Sequence, residues 1–293
     1  MVANKSVAGK VFDIFNAIFL IMLMILSLYP ILHVAMASFS DGTELLRHKG
    51  IMLKPLGFTL DGYKAVFKNS MIVKGYLNTI FIVLAGLADN LLLTALGAYA
   101  LSRKSLRFKK PIMLFIVFTM YFSGGLIPYY FTVKDLGLIN SLWALIIPSS
   151  ISTFNLIIMR TSFEAIPDSL EESAKLDGAN DFTILFRIII PLAKPVIAVM
   201  VLYYGVSHWN AWFNAMLFLR DRALYPLQLI LREILIQNDT ASMTGGANAA
   251  DVAQMSETLK YATIMVATVP ILCLYPFLQK YFVKGVMVGA IKG

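Results

Sequence analysis

The sequence predicts an all-α protein that crosses a membrane several times, and three observations predict it. Of 293 residues, 58% are hydrophobic and only 14% charged, where water-soluble domains carry about 25% charge. Mean hydropathy is +0.74. Six apolar runs approach or exceed the roughly 20 residues that a helix needs to cross a bilayer. A single cysteine, Cys273, excludes an internal disulfide.

The first run, Ile14 to Phe39, contains no full charge, only His33. Ala35-Met36-Ala37 looks like a cleavage site, but the run far exceeds the 7–15 residues of a signal core, so a retained anchor helix is expected. Gly75 to Leu101 follows, with one acid, Asp89. Pro111 to Val133 and Leu136 to Met159 are separated by Lys134 and Asp135, which places a tight turn near 134–140. Val196 to Leu219 contains only His208, and Tyr261 to Gln279 contains no charge. Between the runs, 40–74 reads as a long loop rich in Lys, Gly and Pro. Residues 220–260 include the polar stretch Gln237 to Ala250. Neither stretch supports a separate domain, so the chain reads as one transmembrane domain, 1–293, and with no internal repeat an inverted-repeat secondary transporter gains no support.

Orientation follows from the short loops. Ser102–Lys110 holds five positive residues (Arg103, Lys104, Arg107, Lys109, Lys110), whereas Phe131–Asn140 holds only Lys134. The positive-inside rule puts 102–110, both termini and 160–190 in the cytoplasm. Totals over all loops are nearly balanced; the short loops decide. The formal net charge of +8 therefore reflects topology and contacts with anionic membrane lipids rather than nucleic-acid binding.

The polar insert between the fourth and fifth runs begins as a helix at Pro167-Asp168-Ser169-Leu170-Glu171-Glu172. Asp168 or Ser169 can cap it, and its acids fall where the helix dipole favours them. Ser173 and Ala174 keep one side small. Gly178 permits the left-handed backbone that ends a helix, and a second short helix, Asp181 to Arg187, feeds through Pro191 into the fifth run. The expected product is a cytoplasmic helix–turn–helix. Shape alone would suit an ordinary amphipathic connector.

The spacing says more. Glu172-Ser173-Ala174, three residues, Gly178, nine residues, then Ile188-Ile189-Ile190-Pro191 resembles the "EAA" loop of ABC importer permeases, departing at Ser173 (for Ala) and Ile190 (for Leu). Asn78-Thr79, Gly97-Ala98-Tyr99-Ala100-Leu101-Ser102 and Pro167…Glu172 resemble the smaller permease of the maltose-type carbohydrate uptake family. Phe122-Ser123-Gly124-Gly125-Leu126-Ile127-Pro128, Phe154 to Thr161, His208 to Asn214 and Lys280 to Met287 are similar to a narrower branch. That branch handles longer or acidic oligosaccharides and includes the shorter permeases of bacterial alginate oligosaccharide importers. The resemblance implies a type I importer permease fold. It makes 164–191 the coupling loop, with Glu171, Glu172, Ser173, Ala174, Asp177, Gly178, Ala179 and Pro191 docking on an ATPase. It also implies a second related permease, two ATP-binding subunits and an extracytoplasmic sugar-binding protein, in a bacterial inner membrane. No G-x-x-x-x-G-K-[ST] loop is present, so ATP and Mg belong to the partner, and this chain is expected to be non-catalytic and to carry no cofactor or metal.

Within the spans, Tyr203, Ser207, Asn210 and Asn214 fall at i, i+4, i+7 and i+11, one polar stripe if the fifth run is a continuous helix. Polar groups facing lipid would be unsatisfied, so the stripe faces a substrate passage or glues helices together. Thr79, Gly86, Asn90, Thr94 and Gly97 form a second stripe whose small residues favour close helix packing. Asp89 requires protonation, a partner or water, and a structural partner is expected. Lys49, Lys54, Lys64 and Lys68 read as a solvated loop surface, with steering of an anionic sugar as the alternative. An intramembrane enzyme fails on inventory: paired acids, His-x-x-Glu-His and G-x-S-x-G are all missing. An ion-driven transporter is disfavoured by the few buried charges and the docking loop, and the same permease role for a neutral sugar or another solute stays open.

Overall fold

A computed structural model describes residues 7–237, 257–273 and 276. Among these every regular element is helical. Chain contacts divide them into two compact units, one built from residues up to 69 and from 233 to 268, the other from 70 to 232 and from 269 onward.

In the first unit, α1 (Val7–Ser38) is a long apolar rod, exposed throughout from Val11 to Leu28 as a lipid-facing helix would be. The predicted loop 40–74 is more ordered than expected, because it holds α2 (Gly42–Arg47) and α3 (Asp61–Lys68). Asp41 caps α2 by accepting from the Thr43 amide at 2.9 Å. Ser40 Oγ accepts from the Leu56 amide at 3.0 Å, and Ser38 Oγ meets the Tyr63 hydroxyl at 2.8 Å. The segment is thereby folded back on the end of α1. His33 lies in ring contact with Tyr29 and Tyr261, a packing role.

In the second unit, α4 (Ser70–Ser102) is the axis. At 1.5 Å per residue its 33 residues span about 50 Å. Packed around it are α5 (Lys109–Tyr121), α6 (Leu126–Asp135), α7 (Thr153–Glu164), α8 (Asp168–Leu176), α9 (Asp181–Ile184), α10 (Ile190–Leu192), α11 (Lys194–Trp209) and α12 (Trp212–Phe218). One core, toward the C-terminal end of α4, gathers Ala98, Leu101, Met159, Phe163, Ile184, Leu185 and Met200. The other, nearer its middle, gathers Ile82, Val133, Ile146, Phe218 and Leu229. Helix α13 (Leu227–Gln237) follows, and 257–273 form α14.

Crossings three to five are broken rather than straight. Helices α5 and α6 meet at 114°, the turns over 142–149 meet α7 at 50°, and Asp181–Leu192 meets α11 at 87°. Among the described residues two unbroken helices are long and apolar enough to cross, or up to five crossings if each bent pair is one. The sixth predicted run is helical over 261–273, and most of its remainder, with 238–250 and Lys280 to Met287, lies outside the described residues.

Local chemistry explains the breaks. Gly125 takes φ 87°, a left-handed backbone that glycine adopts without cost. In the fourth run, Ser149 and Ser150 hydroxyls donate to the carbonyls of Leu145 and Ile147 (3.0 and 2.8 Å), competing with helix bonds. The α-helix there starts only at Thr153, capped by Ser152, instead of running from Leu136. The turn near 134–140 is present, with Gly137 at φ 70° after α6.

Candidate functional site

Two regions of the second unit carry the predicted residues, one at each functional level: the polar insert and the wall beside α4.

In the insert, α8 starts at Asp168 with Pro167 at the cap position and no side-chain cap. The expected cap by Asp168 or Ser169 is not formed, because the Asp168 carboxylate is taken by the Lys104 ammonium. That hydrogen bond holds the Asp168 pKa below its ordinary value and raises that of Lys104. Gly178 takes φ 84°, ending α8 as expected, and Asn180 caps α9 by accepting from the Thr183 amide at 2.8 Å. Beyond α9 the chain widens into a π turn, Leu185–Ile189, before Pro191. Proline lacks an N–H and crowds the carbonyl four residues back, and a widened turn relieves that crowding.

The predicted coupling residues separate onto two faces. Glu171 and Ala174 are buried, and Ala179 is half-buried. Glu172, Ser173, Asp177, Gly178 and Pro191 are exposed. Glu171 accepts from the Arg103 guanidinium and from Lys175 Nζ, the latter at 2.7 Å. Burial pushes the Glu171 pKa up, but the bonds from Lys175 and Arg103 outweigh it and hold the carboxyl below its ordinary value. On the outer face stand Leu170, Leu176 and Phe182, with Leu176 90% exposed. Sequence reasoning missed Leu176 and Phe182. The signal was available, since bulky apolar residues on a polar connector expected outside the bilayer have no reason to be there unless a partner covers them.

Beside α4 the second polar stripe packs helices, as expected. Thr79 Oγ1 accepts from the Leu227 amide at 2.9 Å. Asn90, fully buried, donates from Nδ2 to the Ser149 and Ser150 carbonyls, both at 2.8 Å. Its Oδ1 meets His208 Nε2 at 2.6 Å. With the amide nitrogen spent on two carbonyls, Oδ1 must accept, so His208 carries its proton on Nε2. The Tyr204 hydroxyl accepts from the Ser152 amide at 3.0 Å and pairs with Thr94 Oγ1 at 2.8 Å. Helix α4 thus grips the breaks of the fourth and fifth crossings. Asp89 keeps one buried carboxylate oxygen without a hydrogen-bond partner among the described residues.

The stripe on the fifth run is only partly what periodicity suggested. Helix α11 ends at Trp209, with Asn210 at its C-cap and a new helix from Trp212. Tyr203 and Ser207 share one exposed face, whereas Asn210 sits in the break and Asn214, half-buried, on α12. A cleft of about 1020 Å³ opens against this face, lined by Ser149, Ser152, Asn155, Tyr203, Ser207 and Trp209 among others. Its described lining includes no Asp, Glu, Lys or Arg. Asn210 and Asn214 are not among that lining. His48 and His208 make no metal cluster with other residues; among the described residues no such group exists.

Residues 6–288 match the family described as the binding-protein-dependent transport system inner membrane component. The chain belongs to that family. It is 43% identical, over 97% of its length and 99% of the relative, to the polygalacturonan/rhamnogalacturonan transport system permease protein YtcP of Bacillus subtilis (strain 168). It is 41% identical to protein LplC of the same organism, over 99% of this chain and 98% of that one. A chain from the crystal structure of a bacterial ABC transporter importing the acidic polysaccharide alginate matches at TM-score 0.87 and 33% identity, covering 95% of this chain and 99% of that one. This permease is therefore an integral membrane transport component, and the ABC-importer resemblance of its motifs is borne out.

Proposed function

We propose that this permease is the non-catalytic spanning subunit of an ATP-driven importer for an oligosaccharide whose units carry carboxylates. The observation that carries the substrate class is that two whole-chain relatives are named for acidic polymers, polygalacturonan/rhamnogalacturonan and alginate. Tyr203 and Ser207 line the passage wall, with Asn210 and Asn214 extending it past the helix break. Hydroxyls, amides and flat rings match sugar hydroxyls and ring faces. Because the described wall is uncharged, it would also admit a neutral oligosaccharide, which is the second reading; sugar charge would then be read by the partners.

The complex so proposed holds a second related permease, two ATP-binding subunits that supply ATP and Mg, and an extracytoplasmic sugar-binding protein. The chain acts as one transmembrane domain, both termini cytoplasmic. The loop 164–191 docks on an ATP-binding subunit through Glu172, Ser173, Asp177, Gly178, Leu176 and Phe182, while Glu171, Ala174 and Ala179 shape the loop from within and Pro191 sets its exit. The supporting feature is the two-faced α8, anchored on one side and apolar and open on the other.

The test is ATPase stimulation of the reconstituted complex by binding protein loaded with alginate oligosaccharide, oligogalacturonate or maltodextrin. Stimulation by the acidic sugars alone supports the proposal. Stimulation by maltodextrin alone moves the assignment to neutral sugars, and silence with all three in a complex that hydrolyses ATP rejects both.

A further inference from the structure

Arg103 follows directly after the last residue of α4, and its side chain reaches α4, α7 and α8. Its guanidinium lies over the Tyr99 ring, 4.8 Å from the centroid. Nε donates to Ser102 Oγ at 2.9 Å, which fixes it to α4. Nη2 donates to the Phe163 carbonyl at 3.3 Å, at the end of α7. Nη1 donates to Glu171, on the inward face of α8. Both members of the Arg103–Glu171 pair are close to nine-tenths buried, at 12% and 11% side-chain exposure.

Around this hub the neighbouring pairs are looser. Lys104–Asp168 is open to solvent. Lys109 and Arg160 share Glu164, at 2.6 and 2.7 Å, and donate to the Ser102 and Leu101 carbonyls at 3.3 and 3.2 Å, so they join α4, α5 and α7 without touching α8. The exposed Lys104–Asp168 pair transmits little, because solvent screens it and its side chains rearrange. A planar guanidinium in which each of the three nitrogens donates to a different partner has a fixed direction, which a lysine ammonium lacks. Breaking a buried pair also leaves an uncompensated charge, so the pair resists separation.

We propose that Arg103 is the transmission residue of this permease: a displacement of α8 by the ATP-binding subunit passes through Glu171 and Arg103 into α4 and α7. Helix α4 then acts as a lever, since its Asn90 and Thr94 hold the broken crossings beside the cleft. The proposal rests on the coupling function assigned above to 164–191. It assigns the adjacent glutamates different work: Glu172 faces the partner, and Glu171 carries the movement inward.

The test uses the full complex in proteoliposomes, with Arg103→Lys, Arg103→Ala and Glu171→Gln, reading ATPase-subunit co-purification, basal hydrolysis, stimulation by sugar-loaded binding protein, and uptake. Expected are retained co-purification and basal hydrolysis in Arg103→Lys and Glu171→Gln, with stimulation and uptake falling about tenfold, inside the 5–150-fold span usual for coupling between sites. Undiminished stimulation in both would overturn the proposal. So would loss of the ATPase subunit from Arg103→Lys, which would make Arg103 a residue that only shapes the docking face. Glu172→Lys and Gly178→Asp form the separate arm. If those outward changes leave assembly and uptake intact, the coupling assignment itself fails, whatever Arg103 does.

Discussion

Replacing Gly86 with alanine tests the buried contact that joins α4 to the fifth crossing. A Cβ at Gly86 would stand 2.4 Å from His208 Nε2 and 2.7 and 2.8 Å from two ring carbons. The imidazole is not a flexible tip that can swing aside, because Nε2 is bonded to Asn90 Oδ1 at 2.6 Å and the ring is buried. Either the helices separate or the bond breaks. Overpacking costs about 1–3 kcal/mol and an unsatisfied buried acceptor about 1–3 kcal/mol, so a loss of roughly 1–3 kcal/mol is expected from either and up to about 6 kcal/mol if both occur. At roughly 2–4 °C per kcal/mol for a domain of 150–250 residues, the melting temperature of the purified permease should drop by about 2 °C or more. Gly205→Ala is the matched control. Its Cβ would meet only Leu87, at 3.8 and 4.0 Å, and alanine favours a helix interior, so stability should hold or rise. In Gly86→Ala/His208→Ala the clash is gone, and the double mutant should lose less than the two single changes added. Equal melting of Gly86→Ala and Gly205→Ala would refute the close approach.

Other outcomes follow from the same geometry. Asn210→Leu with Asn214→Leu should cut uptake while the complex still assembles; unchanged uptake would return these amides to packing. Gly178 has φ 84° and nothing within 4 Å of a built Cβ. Gly178→Ala should therefore cost only backbone strain, about 1–2 kcal/mol, and weaken ATPase binding modestly, whereas Gly178→Asp adds a charge on the docking face and should weaken it more; a pull-down titration separates them. The Glu171 carboxyl has a lowered folded-state pKa, so its stabilisation is present above the unfolded value near 4.5 and is lost as pH falls through the folded value. The melting difference between wild type and Glu171→Gln should thus be constant around neutrality and shrink below pH 4.5, and a difference that grows on acidification would contradict the pairing.

What the sequence made legible was local. Gly178 ending α8, the turn beside Lys134 and the packing stripe Thr79 to Gly97 each depend on residues within a turn or two, or on a 3.6-residue period along one unbroken helix. The break after Trp209 escaped that reasoning because Asn210-Ala211 contains neither glycine nor proline, and the stripe from Tyr203 to Asn214 assumed a helix that stops. Nor does spacing along the chain show that the basic loop and the insert meet. Arg103, Lys104 and Lys109 look like orientation determinants, yet they pair with Glu171, Asp168 and Glu164 across more than fifty residues. A charge that reads along the sequence as an orientation signal also holds a helix end in the fold.

The adjacency of Glu171 and Glu172 shows why a motif can conceal a division of labour. Successive residues on an α-helix point about 100° apart, so two neighbouring carboxylates cannot both face a partner squarely. Burial resolves which does what. Glu171 lies with Ala174 on the side closed by Arg103, and Glu172 lies with Ser173 and Leu176 on the open side. A docking helix that met its partner with every acid would have nothing polar left to fix its own rear face, and the partner's push would tilt it against apolar side chains alone. With Glu171 committed inward, α8 cannot tilt far without carrying Arg103, and through Arg103 the ends of α4 and α7. On the proposed coupling role, the inward glutamate is what makes the outward one mechanically useful.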